Sequence, residues 1–129
     1  MAVGAVARRD DAILLVRRRN PPGEGKWSVP GGRVRPGERL SEALSREVEE
    51  ETGLQARPGP FLGWVERLGD DRVPYHFVVL DFRVEILGPT HPTPGSDASE
   101  AAWVPVADLH AYDLVDGLEE FLLGVGGLS

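Results

Sequence analysis

Three glutamates near the end of one predicted helix have the spacing to hold a divalent cation. Glu47, Glu50 and Glu51 stand three and four positions apart, so their side chains are neighbours on a helix. At an effective dielectric of about 20, each repelling pair costs on the order of 2 to 3 kcal/mol. The helix dipole also disfavours anions at this end. A hard cation with oxygen ligands, such as Mg²⁺, would compensate for the repulsion.

These carboxylates intrude on the apolar side of the helix rather than occupying its solvated side. At about 100° per residue, four apolar residues form one stripe: Leu40, Ala43, Leu44 and Val48. Glu47 and Glu51 fall within that stripe, and Glu50 lies at its edge. Arg46, four residues before Glu50, is placed to orient a carboxylate. For an acidic run taken alone, a solvated helix end is the alternative interpretation.

Strands and turns must position this helix. The helix itself is predicted over 40–52, with Gly53 ending it in a left-handed conformation. Short apolar runs predict strands at 3–8, 12–17, 61–68, 75–87 and 101–106. Polar, glycine- and proline-rich segments predict loops at 20–25, 69–72 and 88–99. Apolar residues at helical spacing behind Asp113 predict a terminal helix that starts near Leu114, with Asp113 as its N-cap.

Composition limits the class of protein. The chain has 129 residues, 41% of them apolar and 27% charged, which is typical of one globular domain over 1–129. Cysteine is absent, so disulfides and thiolate metal sites are excluded. The net charge of −7 argues against nucleic-acid binding. No apolar run reaches the roughly 18 residues of a membrane span, and no signal-type stretch is present, so a cytoplasmic protein is expected.

The charge is unevenly distributed along the chain. Residues 1–40 carry a balance of +5 and the remaining residues −12. An anionic ligand is therefore expected to meet cations in the first third and a metal to find its ligands further on. The candidate phosphate contacts are Arg17, Arg19 and Arg33. The alternative is that these arginines are solvated strand ends.

One segment resembles a family signature at every fixed position. From Gly32 the chain reads GRVRPGERLSEALSREVEEETGL, which is similar to the box of the Nudix hydrolases. The fixed residues of the box are Gly32, Glu38, Arg46, Glu47, Glu50, Glu51 and Gly53. At average residue usage, such a match arises by chance on the order of once in 10⁹ starting points. KWSVPGG before the box and AAWVPVADL near the end extend the resemblance, more loosely, over nearly the whole chain.

The resemblance implies an α/β/α sandwich with a mixed β-sheet, in which the box is a loop-helix-loop. It further implies that Glu47, Glu50 and Glu51 bind Mg²⁺ and that the backbone carbonyl of Gly31 is an additional ligand. The same oxygen ligands are compatible with Mn²⁺. Arg46 would orient a glutamate. Gly32, Glu38 and Gly53 would support the box.

The expected catalytic residues are Arg46, Glu50 and Glu100. The family draws its general base either from the box or from a late loop, and Glu100 is the late candidate. An ordinary exposed acid at the start of a strand is the alternative for Glu100.

The expected reaction is cleavage of a pyrophosphate bond in a small nucleotide. ADP-ribose is the first candidate substrate, because the segments YHFVVLDFRV and SEAAWVPVADL resemble those of small bacterial ADP-ribose pyrophosphatase-like members. Oxidised dGTP, as in MutT-like members, is the alternative within the family. A non-catalytic nucleotide-sensing module and a purely structural cation site are alternatives of other kinds. No nucleic-acid or membrane partner is expected, and the residues do not distinguish a monomer from a homodimer.

Overall fold

A computed structural model describes residues 1–20, 23–69, 71–72 and 74–124. Within these residues the strands are β1 (Ala2–Arg9), β2 (Ala12–Arg18), β3 (Trp27–Ser28), β4 (Gly31–Arg33), β5 (Gln55–Leu68), β6 (His76–Leu87) and β7 (Ala98–Pro105). The helices are α1 (Leu40–Thr52), a 3₁₀ helix (Val106–Ala111) and α2 (Leu118–Gly124). No helix in the described part of the chain is long and apolar enough to cross a membrane.

Strand β1 is the centre of a mixed sheet. It runs parallel to β6 and antiparallel to β2 and β4, in the order β3-β2-β1-β6-β5, while β7 pairs with the other side of β2. The first residues of β1 pair with β4, so that Gly4 lies opposite Gly31. This pairing brings the start of the box to the centre of the sheet.

Residues of β1 and β2 alternate between two apolar clusters, one on each face of the sheet. The cluster beneath α1 contains Val3, Ala5, Ala7, Leu14, Ala43, Leu44, Val48, Leu54 and Val84. The cluster on the opposite face contains Val6, Ile13, Leu15, Val29, Val104, Leu109, Val115, Leu118 and Leu122. The alternation confirms the predicted α/β/α layering, because a strand directs successive side chains to opposite faces.

Helix α1 has the predicted bounds, and both of its ends are satisfied. At the start, the Glu42 carboxylate accepts a hydrogen bond of 2.8 Å from the Arg39 amide. At the end, Gly53 has φ 73° and donates to the Glu49 carbonyl. The Gly95 amide donates to the Glu51 carbonyl, so the segment before β7 also fixes the last turn of the helix.

Two strands begin earlier than predicted. β5 starts at Gln55 rather than at 61, and it passes Pro58 and Phe61 through register shifts against β6. β7 starts at Ala98 rather than at 101, so the predicted loop 88–99 ends earlier. In both cases pairing with a distant strand extends the element beyond what its local composition indicates.

The prediction that the terminal helix starts near Leu114 is wrong. The Asp113 carbonyl and the Val115 amide both hydrogen-bond to the backbone of Trp27, which holds this segment against β3. Gly117 then turns the chain at φ 81°, and α2 begins at Leu118. Asp113 is therefore not the N-cap of this helix.

Some predictions fall partly on residues outside the described part of the chain. These residues are Pro21 and Pro22 in the predicted loop 20–25, Asp70 in the predicted loop 69–72, and 125–129 at the end of the predicted domain.

Candidate active site

Arg46 is the centre of the carboxylate cluster in the box. Its Nε and Nη2 bind the two oxygens of Glu38 at 2.7 and 2.9 Å. Its Nη1 binds Glu47 at 2.6 Å and Glu50 at 3.1 Å, and its Nη2 also donates to the Arg33 carbonyl at 2.9 Å. The hydrogen bond to Glu38 raises the pKa of Arg46 further. One fixed cation thus sets the direction of three carboxylates.

Glu38 links the loop of the box to α1. Besides Arg46, its carboxylate accepts a hydrogen bond of 2.9 Å from the Arg35 amide. The Arg46 hydrogen bond, followed by the Arg35 amide, lowers the pKa of Glu38 to about 2. Glu38 is therefore ionised at neutral pH and holds Arg46 from the loop that precedes α1.

Glu51 is the most deeply buried acid of the box, with 7% of the residue exposed. Its Oε2 accepts a hydrogen bond of 2.7 Å from the Gly31 amide. Burial raises the pKa of Glu51 to about 8, against the opposing effect of this hydrogen bond. The Gly31 amide thus contacts the cluster, and the role of the Gly31 carbonyl as a metal ligand stays a prediction.

Gly32 leaves the space that the Glu47 carboxylate occupies. A Cβ at position 32 would lie 2.7 Å from Glu47 Oε1. Burial is also the main influence on Glu47, and it raises the pKa of this carboxyl against the effect of Arg46. Strand β4 and helix α1 therefore approach each other at the carboxyl groups of Glu47 and Glu51.

The donor set of this cluster fits a hard divalent cation. Four carboxylates (Glu38, Glu47, Glu50 and Glu51) face two cations, Arg46 and Arg35, the second of which lies 3.2 Å from Glu50. The carboxyl groups outnumber the cations, and all of their ligand atoms are oxygens, which Mg²⁺ prefers. Among the residues that the structure describes, however, no three acidic or imidazole side chains converge in a metal-binding arrangement. Arg46 and the Gly31 amide hold the carboxylates instead.

A cavity of about 330 Å³ adjoins the cluster at Gly31 and Gly32. Its lining includes Arg18, Arg33, Arg67, Phe77 and Val79. The Arg33 guanidinium lies 5.2 Å from the centre of the Phe77 ring. The cavity therefore joins cationic and aromatic groups to the acidic cluster, an arrangement that suits a ligand with both a phosphate and a ring.

The predicted phosphate-binding arginines separate in the structure. Arg33 lines the cavity, whereas Arg17 and Arg19 are not part of its lining. Arg17 donates to the Gly25 carbonyl and faces Glu100 at 3.8 Å, and Arg19 donates to the Ala98 carbonyl at 3.4 Å. Glu100 likewise does not line the cavity, and its role stays a prediction.

Sequence reasoning missed three residues. Arg18 and Arg67 line the cavity, and Asp81 lies beside it with 2% of the residue exposed. A signal for Asp81 was present, because it follows Phe77 and Val79 at alternate positions of a strand, where an acid on the inward face is unusual. No comparable signal distinguished Arg18 from the arginines beside it.

Comparisons with known proteins agree with this geometry. The family model of the NUDIX domain matches residues 1–124. The chain is 36% identical over 110 residues to an ADP-ribose pyrophosphatase of Methanocaldococcus jannaschii, a match that covers 84% of this chain and 63% of that protein. It is 34% identical over 113 residues to the human 8-oxo-dGDP phosphatase NUDT18, covering 84% of this chain and 34% of that protein. The chain thus spans less than two thirds of the length of these two relatives.

A solved structure extends the likeness to the whole fold. The crystal structure of a MutT NUDIX hydrolase from Burkholderia pseudomallei superposes with a TM-score of 0.83 at 28% identity. The match covers 96% of this chain and 95% of that one. The resemblance that the box indicated therefore holds for the surrounding sheet and helices as well.

Proposed function

Because the chain belongs to the Nudix hydrolase family, we propose that it cleaves a phosphoanhydride bond in a nucleoside-diphosphate-linked substrate, with Mg²⁺ held by Glu47, Glu50 and Glu51. One observation carries this proposal: the acidic cluster adjoins a cavity of about 330 Å³ through Gly31 and Gly32. A nucleotide whose diphosphate lies along these two glycines reaches the carboxylates and the cavity together.

The residues of the chain act mainly by positioning. When bound, the metal neutralises the diphosphate and activates water. Arg46 fixes Glu47 and Glu50, and the Gly31 amide fixes Glu51. Arg33 follows the two glycines and supplies a cation for phosphate oxygens. Fixed orientation and electrostatics provide most of the acceleration in phosphoryl transfer.

We place the general base in the box. Glu50 has 46% of its side chain exposed, so water reaches its carboxylate, and Arg46 holds it beside Glu47. Glu100 faces Arg17 on neighbouring strands, away from the lining of the cavity. Glu50 is thus the residue that takes the proton of the attacking water, and Glu100→Gln is expected to keep activity.

Two substrates are candidates. ADP-ribose is favoured by the resemblance in the sequence and by the archaeal relative named an ADP-ribose pyrophosphatase. A guanine nucleotide in oxidised form is favoured by the human relative named an 8-oxo-dGDP phosphatase. One observation inside the molecule bears on this second candidate, namely the presence of Arg67 in the cavity.

The test is a hydrolysis assay with Mg²⁺ on a panel of ADP-ribose, nucleotide sugars, dinucleoside polyphosphates, NADH and oxidised dGTP. Glu50→Gln and Glu51→Gln are expected to lose about 100-fold or more of kcat, as for removal of a general base or a metal ligand. Glu49→Gln is the matched control, because Glu49 contacts Gln55 and lies outside the Arg46 cluster. It should keep wild-type activity.

Other results would point to the other kinds of function. If no substrate is cleaved while a nucleotide still raises the melting temperature, the protein is a sensing module rather than an enzyme. If Mg²⁺ raises the melting temperature in the wild type but not in Glu51→Gln, and neither nucleotide binding nor turnover is found, the site is a structural cation site.

A further inference from the structure

We propose that Arg67 is a specificity-determining residue that donates to the base of the bound nucleotide and selects a 6-keto purine, such as guanine, over adenine. This inference rests on the proposed function, because it takes the cavity as the nucleoside site. Of the two candidate substrates it favours the guanine nucleotide.

Position in the sheet assigns Arg67 to the nucleoside rather than to the diphosphate. The carboxylates meet the cavity at β4, and the strands run in the order β4-β1-β6-β5. Arg67 is on β5, three strand spacings or about 14 Å from β4. Arg33 directly follows Gly31 and Gly32 on β4, and its guanidinium reaches the ring of Phe77, the cross-strand partner of Arg67, so Arg33 extends from the glycines toward Arg67. A ligand that places its diphosphate against the two glycines therefore extends its base toward Arg67.

Arg67 has donor capacity that the protein does not use. Its Nε is fully buried and has no hydrogen-bond partner among the described residues. A guanidinium carries donors only, so its partner must be an acceptor. Buried polar groups without partners are rare in native structures and call for a specific explanation. Because Arg67 lines the cavity, a ligand there meets a donor-only side chain whose donors the protein does not fully satisfy.

Asp81 acts on Arg67 through its charge, from the same face of the sheet. It faces the cavity side of β6, in line with Phe77 and Val79, and its charge stabilises the Arg67 cation. Burial, followed by the like charge of Arg18, lowers the pKa of Arg67, and burial raises the pKa of Asp81 to about 7. The attraction between Arg67 and Asp81 opposes these effects. A Cβ on Gly4 would overlap Asp81 Oδ1, so the glycine provides the room that this buried acid needs.

The chemistry of the base decides which ligand fits. Guanine presents the acceptor O6, and adenine presents an amino donor at the same place. A donor-only side chain therefore attracts the O6 atom of guanine and repels the amino group of adenine. Hypoxanthine and 8-oxoguanine keep O6, so they should be accepted like guanine.

The experiment measures the binding of nucleoside monophosphates by isothermal titration with Mg²⁺ present. These ligands lack an anhydride bond and are not consumed, so binding is measured apart from hydrolysis. GMP, IMP and 8-oxo-GMP are expected to bind wild-type protein with similar affinity and about tenfold or more tighter than AMP. Equal affinity for GMP and AMP, or no binding of either, would overturn the inference without any variant.

Variants then assign the preference to Arg67. Arg67→Lys keeps the charge but not the planar set of donors, and it should reduce the ratio of GMP to AMP affinity to near one. Arg67→Gln should do the same, and Asp81→Asn should lower the ratio. Arg57→Lys is the matched control, because Arg57 lies on the same strand but pairs with Glu85 on the surface. It should leave the ratio unchanged.

Two outcomes separate this inference from the proposed function. If Arg67→Lys weakens GMP and AMP equally, Arg67 binds phosphate or ribose and the inference is wrong. If the wild type prefers GMP through Arg67 but cleaves nothing on the substrate panel, hydrolysis is wrong and the inference stands. Thermal unfolding of each variant confirms that the binding data refer to folded protein.

Discussion

At the scale of single residues, the site depends on how closely the glycines of β4 approach the glutamates of α1. Gly32 leaves room for the Glu47 carboxylate, and the Gly31 amide binds Glu51. These contacts hold the two carboxyl groups in place, and burial raises the pKa of both. Small changes at these two glycines should therefore affect the site more than the fold.

Gly32→Ala tests this directly. The new Cβ would lie 2.7 Å from Glu47 Oε1, and the flexible glutamate side chain should move rather than the backbone. We expect kcat/KM on the best substrate to fall about tenfold or more, because small misplacements of catalytic groups are costly. The melting temperature should change little. Gly124→Ala is the control, since nothing lies within 4 Å of a Cβ at that position. Retained activity in Gly32→Ala would show that the position of the Glu47 carboxylate is not critical.

Glu38 should make stability depend on pH at the acid end. Its hydrogen bonds to Arg46 and to the Arg35 amide lower its pKa from 4.5 to about 2. Because the folded pKa is the lower one, the stabilisation is complete above about pH 5 and is lost as the pH falls toward 2. The gap in free energy of unfolding between wild type and Glu38→Gln should be constant from about pH 8 to 5 and shrink below that. Urea unfolding over this pH series measures the gap, and a gap that stays constant down to about pH 3 would contradict the prediction.

At the scale of elements, α1 serves as a rigid carrier for the acids. Its apolar residues Ala43, Leu44 and Val48 are buried against the sheet, which fixes the direction of the acidic side. Its last turn is held from outside, because Thr93 and Gly95 donate to the carbonyls of Thr52 and Glu51. A helix end that carries like charges is stabilised by these contacts.

The end of α1 requires a left-handed residue, so Gly53→Ala should destabilise the protein. Gly53 has φ 73°, a conformation that costs an L-residue roughly 1 kcal/mol. We expect the free energy of unfolding to fall by about 1 kcal/mol, and by less in Gly53→Asn, because asparagine tolerates this conformation better. Urea denaturation measures both. An equal loss in the two variants would mean that a steric contact, rather than φ, sets the cost.

At the scale of the whole molecule, the sheet is covered on both faces. One face carries α1 and the other carries the 3₁₀ helix and the short α2. The cavity opens beside Val29, which belongs to the apolar cluster on the face of the sheet opposite α1. The layer on that face therefore supports the cavity. Although α2 is only seven residues long, it completes this layer.

Two adjacent leucines of α2 test that layer. Leu122 is 1% exposed and belongs to the apolar cluster on the face opposite α1, whereas Leu123 is 53% exposed. Leu122→Ala should lower the free energy of unfolding by about 2 to 4 kcal/mol through the buried cavity that it creates. Leu123→Ala should change it by less than about 0.5 kcal/mol. Similar values for both variants in urea denaturation would mean that α2 is not packed on the sheet.

The sequence by itself determined the helix of the box and its immediate chemistry. The bounds of α1, its end at Gly53 and the contact of Arg46 with Glu50 follow from interactions between residues a few positions apart. Such interactions depend only on the local order of residues. The same order also placed Glu47 and Glu51 on the side of α1 that faces the protein.

Only the tertiary structure decided which arginines reach the cavity and where the later elements begin. Arg18 lines the cavity, whereas Arg17 and Arg19 do not, and the pairing of β2 with β7 shifts register at this point because β7 carries the extra residue Ser99. The start of β5 and the contact of Trp27 with the segment before α2 depend on partners far away in the chain. Strand register is set by such pairing and by bulges rather than by local composition. For the same reason the cavity, Arg67 and Asp81 come together only when β1, β5 and β6 pair.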